Sequence, residues 1–103
     1  MSTLGGNDIF ATVVDRAPVF SKETLLHAIY QSCQFPATFG FNWDALYDCL
    51  LDFSWIPQQK LVLIFKDLEL LKIRQLEGFN SFMEILSDIA EELPNFLYVV
   101  RIK

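Results

Sequence analysis

Three aspartates recur at intervals of four residues, Asp44, Asp48 and Asp52, in a stretch that has the pattern of a helix. At about 100° of rotation per residue, their carboxylates fall on one side of that helix. The other side is apolar and consists of Trp43, Leu46, Cys49, Leu50 and Phe53. No Lys or Arg occurs between Glu23 and Gln59 to neutralise the acids, and like charges at this spacing destabilise an isolated helix. The acidic side is therefore either a plain solvated face or a surface for a cationic partner.

Carboxylates one helical turn apart, such as those of Asp44 and Asp48, could share a proton or a cation in an enzyme. Enzymes that use paired carboxylates hold them in a cleft, whereas an acidic helix face with short flanking loops forms a ridge. The single histidine, His27, lies beside apolar positions and forms no recognisable catalytic or zinc motif with Cys33 or Cys49. The glycines form no phosphate-binding loop. We therefore expect a protein that is not an enzyme and that uses no metal and no cofactor.

A short loop with two aromatic residues precedes the acidic helix. Phe39 and Phe41 flank Gly40, and Asn42 has a side chain suited to cap the helix. Each of the two phenylalanines is either a core residue or a contact for a partner. Exposed aromatic residues and the amphipathic Tyr47 beside unpaired acids are typical of protein-binding surfaces. We therefore favour a binding surface for a basic partner.

Composition limits the kind of partner and the number of domains. The chain has 103 residues, 52% of them hydrophobic, which predicts a single domain over 1–103 with one core. Its net charge of −5 argues against nucleic acid and anionic membranes as direct ligands and favours a basic protein. The apolar runs are too short to span a membrane, and Met1 to Asn7 lacks the features of a signal peptide. These features predict a cytoplasmic protein in which Cys33 and Cys49 are free thiols.

Hydrophobic periodicity predicts three strands and four helices in the order βααβααβ. The strands are 9–14, 61–65 and 96–102, each an almost continuous apolar run. The helices are 22–34 after a Ser21 cap, 43–53, a short third helix capped by Asp67 and ending by Gly78, and a fourth from Phe82 to Leu93 that Pro94 stops. Long helical connections require parallel pairing, and continuously apolar strands predict helices on both faces of the sheet. The expected fold class is an α/β three-layer sandwich with a three-stranded parallel sheet.

The sequence from Gly40 to Leu50 also resembles a known family. Its pattern, G-x-N-x-D-A-L-x-D-C-L, is similar to the signature of the barstar family of ribonuclease inhibitors. The specific part covers about Pro36 to Phe53, and the order of strands and helices extends the resemblance over the whole chain, with extra residues around Gln58 to Lys60. The resemblance implies the barstar-like version of the predicted sandwich. It also implies an intracellular inhibitor that blocks the active site of a basic ribonuclease with the acidic helix and the loop before it.

The resemblance also implies roles for individual acids. It makes Asp48 the central acid that blocks the ribonuclease active site and Asp44 its companion. It implies a further acid from the last helix, which is Asp88 or, alternatively, Glu84. The partner-binding residues expected from the pattern and the resemblance together are Asp48, Asp44, Thr38, Phe39, Gly40, Phe41, Asn42, Trp43, Tyr47, Asp52 and Asp88.

The rim of the expected contact departs from the family pattern. Thr38, Phe41 and Tyr47 stand where the best-known member has a tyrosine, a glutamate and a tryptophan. The alternative hypothesis is therefore a barstar-fold binding module or immunity protein whose basic partner is not a ribonuclease. The sequence leaves open which ribonuclease is bound, whether the same cell or a competitor supplies it, and whether the Ile56–Pro57 bond is cis. We expect the free protein to be a monomer.

Overall fold

A computed structural model describes residues 9–52 and 60–102 of the chain. In these ranges the elements are β1 (Ile9–Val13), α1 (Lys22–Ser32), α2 (Trp43–Leu51), β2 (Lys60–Phe65), α3 (Glu69–Arg74), α4 (Leu76–Glu92) and β3 (Leu97–Arg101). The predicted order βααβααβ and the α/β fold class are thus confirmed. The predictions for Phe53, for the Ile56–Pro57 bond and for residues 58–59 lie outside the described residues.

The three strands form one parallel sheet with β2 in the centre. Thr12 of β1 lies opposite Leu63 of β2, and Leu63 in turn lies opposite Val99 of β3. Both pairings are parallel, as the long helical connections required. Each pair of helices therefore connects two neighbouring strands.

In the described part of the chain, one face of the sheet is much better buried than the other. Burial alternates along β2, where Leu63 and Phe65 are fully buried. Tyr98 and Val100 lie on the opposite face and are 42% and 44% exposed. The expectation that the strands are buried on both faces is therefore wrong for the edge strands β1 and β3. Their apolar runs reflect the strand preference of β-branched and aromatic residues more than their burial.

The first helix begins as predicted. Ser21 Oγ accepts a hydrogen bond from the Thr24 N–H at 3.1 Å, and Thr24 Oγ1 accepts one from the Ser21 N–H at 2.9 Å. This reciprocal capping box fixes the start of α1. The helix ends at Ser32, two residues before the predicted position.

The predicted starts of the third and fourth helices are wrong, whereas α3 ends at Arg74, before Gly78, as predicted. The N-cap residue of α3 is Leu68 and not Asp67, and no side chain caps this helix. The fourth helix begins at Leu76 and not at the predicted Phe82, so Gly78 lies in the first turn of α4. A single glycine inside a helix costs only about 1 kcal/mol relative to alanine, which the packing of a long helix outweighs.

The break between α3 and α4 lies at Gln75. Its backbone leaves the helical region, with φ −143° and ψ 82°. Its side-chain Oε1 accepts a hydrogen bond from the Lys22 N–H at 2.8 Å, which joins the break to the start of α1. A contact between distant parts of the chain thus accompanies a boundary that local sequence does not mark.

The core lies between the sheet and the helices. Leu46 and Leu50 of α2 are completely buried, and so are Phe82 and Ile89 of α4. These two helices pack against each other. None of the helices among the described residues has the length and apolar character needed to cross a membrane.

Candidate functional site

Asn42 fixes the start of the acidic helix. Its Oδ1 accepts a hydrogen bond from the Ala45 N–H at 2.7 Å, and its backbone is extended, with φ −139° and ψ 172°. Its Nδ2 donates to the Gly40 carbonyl at 3.3 Å, which joins the cap to the loop before it. The prediction of Asn42 as the helix cap is therefore confirmed. The first turn of α2 is held in one position relative to the preceding loop.

The predicted acidic side of α2 is exposed. Because Leu46 and Leu50 anchor the other side in the core, Asp44, Asp48 and Asp52 face solvent. None of the three forms an ion pair with a described Lys or Arg. In the described residues 9–52 and 60–102, one pair of oppositely charged side chains lies within 4 Å, and it joins Arg101 of β3 to Glu69 of α3. The acids on α2 are thus available to an external cation.

Acids of the last helix and of α2 both act electrostatically on Tyr47. The Tyr47 ring is half-buried, and partial burial raises the pKa of its hydroxyl above the usual value. The negative charges of Glu92, Asp88 and Asp48 raise this pKa further, so acids of both helices act electrostatically on this hydroxyl. Of the two acids expected from the last helix, Asp88 is the one whose charge acts on Tyr47; its contact with a partner stays a prediction.

Glu92 belongs to the same group of acids and was not among the predicted residues. It lies one helical turn after Asp88, and both are exposed. The four-residue spacing of Asp88 and Glu92 is the sequence signal that could have identified it. We call the exposed carboxylates of Asp44, Asp48, Asp52, Asp88 and Glu92 the acidic surface.

Trp43 is the first residue of α2 and packs against the core. Its side chain is half-buried, and Lys22 Nζ lies 5.6 Å from the centre of its ring. A lysine over an indole face makes a favourable cation–π contact. The Trp43 ring is thus held by the core and by Lys22, and its contact with a partner stays a prediction.

The two phenylalanines of the loop have different environments. Phe39 is only 6% exposed and packs against Phe35 with ring centres 5.0 Å apart. Its burial removes its side chain from the predicted contact surface, because a core ring cannot reach a partner. Phe41 is 41% exposed and remains available, as do the exposed Thr38 and Gly40.

Cys33 and Cys49 are both thiols and form no disulfide, as predicted. Burial raises the pKa of the Cys33 thiol to about 12. The pKa of Cys49 is also raised, first by partial burial and then by the negative charges of Asp48 and Asp52. Both effects suppress the thiolate, the reactive form. Among the described residues, no group of His, Cys, Asp and Glu is arranged to hold a metal ion.

Comparison with protein families agrees with this geometry. The family model described as Barstar (barnase inhibitor) matches residues 9–102. The chain belongs to the barstar family. The match extends over all seven elements, which confirms the resemblance first seen in the acidic helix and supports the sandwich fold. Members of the barstar family are non-enzymatic inhibitors, in agreement with the expectation that the chain is not an enzyme. No individual curated protein matched the chain.

Proposed function

We propose that this barstar-family protein binds a basic ribonuclease in the cytoplasm and blocks its active site with α2 and the loop before it. In this role it protects the cell that contains it from RNA cleavage. The proposal combines the family with the physical character of the acidic surface.

The observation that carries the proposal is that neither the acids of α2 nor Asp88 and Glu92 of α4 form an ion pair with a Lys or Arg that the structure describes. Asp48 lies near the middle of its helix, and the charges of Asp48 and of Asp88 and Glu92 on α4 act on the same tyrosine hydroxyl. Carboxylates kept close together without neutralising partners repel each other, which destabilises the free protein. A cationic partner relieves that repulsion, so the arrangement favours complex formation.

A ribonuclease offers the matching chemistry. Its active-site groove holds RNA phosphates with Arg, Lys and His side chains, and carboxylates on a rigid helix are suited to the same positions. Asp48 enters deepest because it lies between the other two acids of α2. Asp44 binds a second cation one turn earlier, and Asp88 with Glu92 binds at the opposite side of Asp48.

The loop from Thr38 to Asn42 forms the rim of the proposed contact. Phe41 supplies its exposed apolar area, while the Asn42 cap sets the direction in which the loop leaves α2. Tyr47 adds a half-buried ring between the acids of the two helices. We assign the binding surface to one domain spanning 1–103 that is monomeric when free.

The test is inhibition of RNA cleavage by a panel of microbial ribonucleases that includes a barnase-type enzyme. We expect stoichiometric inhibition of at least one enzyme by the wild-type protein. Asp48→Ala should weaken binding about a hundredfold or more, because it leaves the ribonuclease cation buried without a partner. Glu69→Gln is the control, since Glu69 is a partly exposed acid that Arg101 already neutralises at 2.9 Å. It should inhibit like the wild type.

Two results would contradict parts of the proposal. Equal loss of inhibition in Asp48→Ala and Glu69→Gln would show that binding responds to net charge and not to the acidic surface. Absence of inhibition across the panel would favour the alternative hypothesis, an immunity protein whose basic partner is not a ribonuclease. Capture of that partner on the wild-type protein, with Asp48→Ala as the negative control, would then identify it.

A further inference from the structure

Phe41 holds an exposed ring in a backbone conformation that residues with a Cβ atom disfavour. Its φ is 53°, in the left-handed region, and its side chain is 41% exposed. It directly precedes Asn42, the cap of the acidic helix. Backbone strain of this kind persists only where surrounding contacts maintain it, and it is concentrated at functional positions.

Rings from α1 maintain the position of Phe41. The imidazole of His27 stacks on the Phe41 ring, with centres 5.4 Å apart and planes inclined by 25°. The Tyr30 ring lies 4.9 Å from it, and the buried Phe39 meets it edge to face at 4.9 Å. His27 and Tyr30 are three residues apart, so they project from the same side of α1. We call the rings of His27, Tyr30 and Phe41 the aromatic platform.

The aromatic platform adjoins the acidic surface. Phe41 is separated from Asp44 by the cap residue and one further residue, and no Lys or Arg occurs between Glu23 and Gln59. A partner that fits the acidic surface carries cations up to this edge. The guanidinium of arginine is planar and weakly hydrated, stacks on aromatic faces, and binds carboxylates through two parallel hydrogen bonds. Arginine is therefore the side chain that both neighbouring surfaces favour.

We propose that the aromatic platform receives an arginine side chain from the rim of the partner's groove. Phe41 makes the contact, and His27 and Tyr30 are positioning residues that keep its ring in place. This inference rests on the proposed function. It adds α1 as a further element that shapes the binding surface, and it specifies the chemistry of one partner residue.

The dissociation rate of the complex tests the contact. Phe41→Leu keeps an apolar side chain but removes the aromatic face, and we expect it to dissociate roughly three- to tenfold faster. Phe41→Tyr keeps the aromatic face and should therefore dissociate more slowly than Phe41→Leu. Phe20→Leu is the matched control, because Phe20 is also 41% exposed but contributes no ring to the aromatic platform.

A second pair of variants tests the positioning role. His27→Ala should accelerate dissociation, and His27→Phe should restore the wild-type rate because a phenyl ring can stack on Phe41 in place of the imidazole. The dependence of the association rate on salt should be the same in all these variants, since they leave the acidic surface unchanged.

The outcomes separate this inference from the proposed function. If the wild type binds a ribonuclease and Phe41→Leu dissociates at the same rate, the arginine contact is overturned while the inhibitor function stands. If His27→Phe dissociates as fast as His27→Ala, the positioning role of the stacked ring is overturned. If the wild type binds no ribonuclease, the proposed function fails and this inference fails with it.

Discussion

Both carboxylate oxygens of Asp15 accept the backbone N–H of Lys66, at 2.8 and 2.9 Å. One of them also accepts the N–H of Asp67 at 2.8 Å. Asp15 is 6% exposed and follows β1, whereas Lys66 follows β2. The buried carboxylate thus joins the carboxyl ends of two parallel strands.

Loss of this carboxylate should destabilise the fold strongly. Asp15→Ala leaves two backbone N–H groups without their acceptor, and we expect the free energy of unfolding to fall by about 3 kcal/mol. Urea denaturation at neutral pH measures this change. Asp88→Ala, which removes an exposed acid, should change it by less than about 0.5 kcal/mol. An equally small effect of Asp15→Ala would show that other groups can accept these hydrogen bonds.

The cap of the acidic helix should contribute to stability independently of any partner. Asn42→Ala removes the acceptor for the Ala45 N–H, and we expect a loss of about 1 kcal/mol in the free energy of unfolding. Asn42→Asp retains a capping oxygen and should lose much less. Chemical denaturation of the two variants beside the wild type gives the comparison. Equal losses would show that the donor side of the amide, which meets the Gly40 carbonyl, is the more important contact.

Cys33 should resist thiol reagents in the folded protein. A pKa of about 12 in place of the ordinary 9.0 lowers its thiolate population at pH 8 about a thousandfold, in addition to the steric protection of burial. Cys49 should react faster than Cys33 but more slowly than an unhindered thiol, because its own pKa is raised. Timed alkylation followed by mass spectrometry resolves the two sites. Rapid labelling of Cys33 without unfolding would contradict the burial of this thiol.

The acidic surface should accelerate association at long range. Asp44→Asn and Asp52→Asn each remove one exposed charge, and each should slow association with the basic partner at low salt. The difference from the wild type should vanish near 1 M salt, where the screening length falls to about 3 Å. Stopped-flow measurements over a range of salt concentrations test this. Association rates that are insensitive to salt would contradict electrostatic attraction between the partners.

Local sequence signals identified most elements because local contacts determine them. The Ser21 and Asn42 caps bond residues three positions away, and the apolar strands are short and well separated. The boundary at Gln75 could not be predicted in this way, because the Gln75 side chain accepts a hydrogen bond from Lys22 on another helix. The exposure of the edge strands depends likewise on which strand lies in the centre, as Tyr98 in β3 illustrates.

The candidate site likewise contains residues that local sequence identified and residues that depend on contacts between distant elements. Asp44, Asp48 and Asp52 were identified from their spacing along one helix, and the structure exposes all three. Glu92 was missed because its relation to Tyr47 depends on how α4 packs against α2. The stacking of His27 on Phe41 was missed for a similar reason, since α1 and the loop meet only in the folded chain.

The most direct test of the central claim is competition at the ribonuclease active site. We would measure the affinity of the wild-type protein for a ribonuclease that it inhibits. A mononucleotide that occupies the phosphate-binding groove would be added at increasing concentration. We expect the apparent dissociation constant to rise in proportion to nucleotide concentration, because the carboxylates of the acidic surface and the phosphate bind the same cations. An affinity that stays constant when the groove is saturated with nucleotide would show that the protein binds elsewhere on the ribonuclease and does not block its active site.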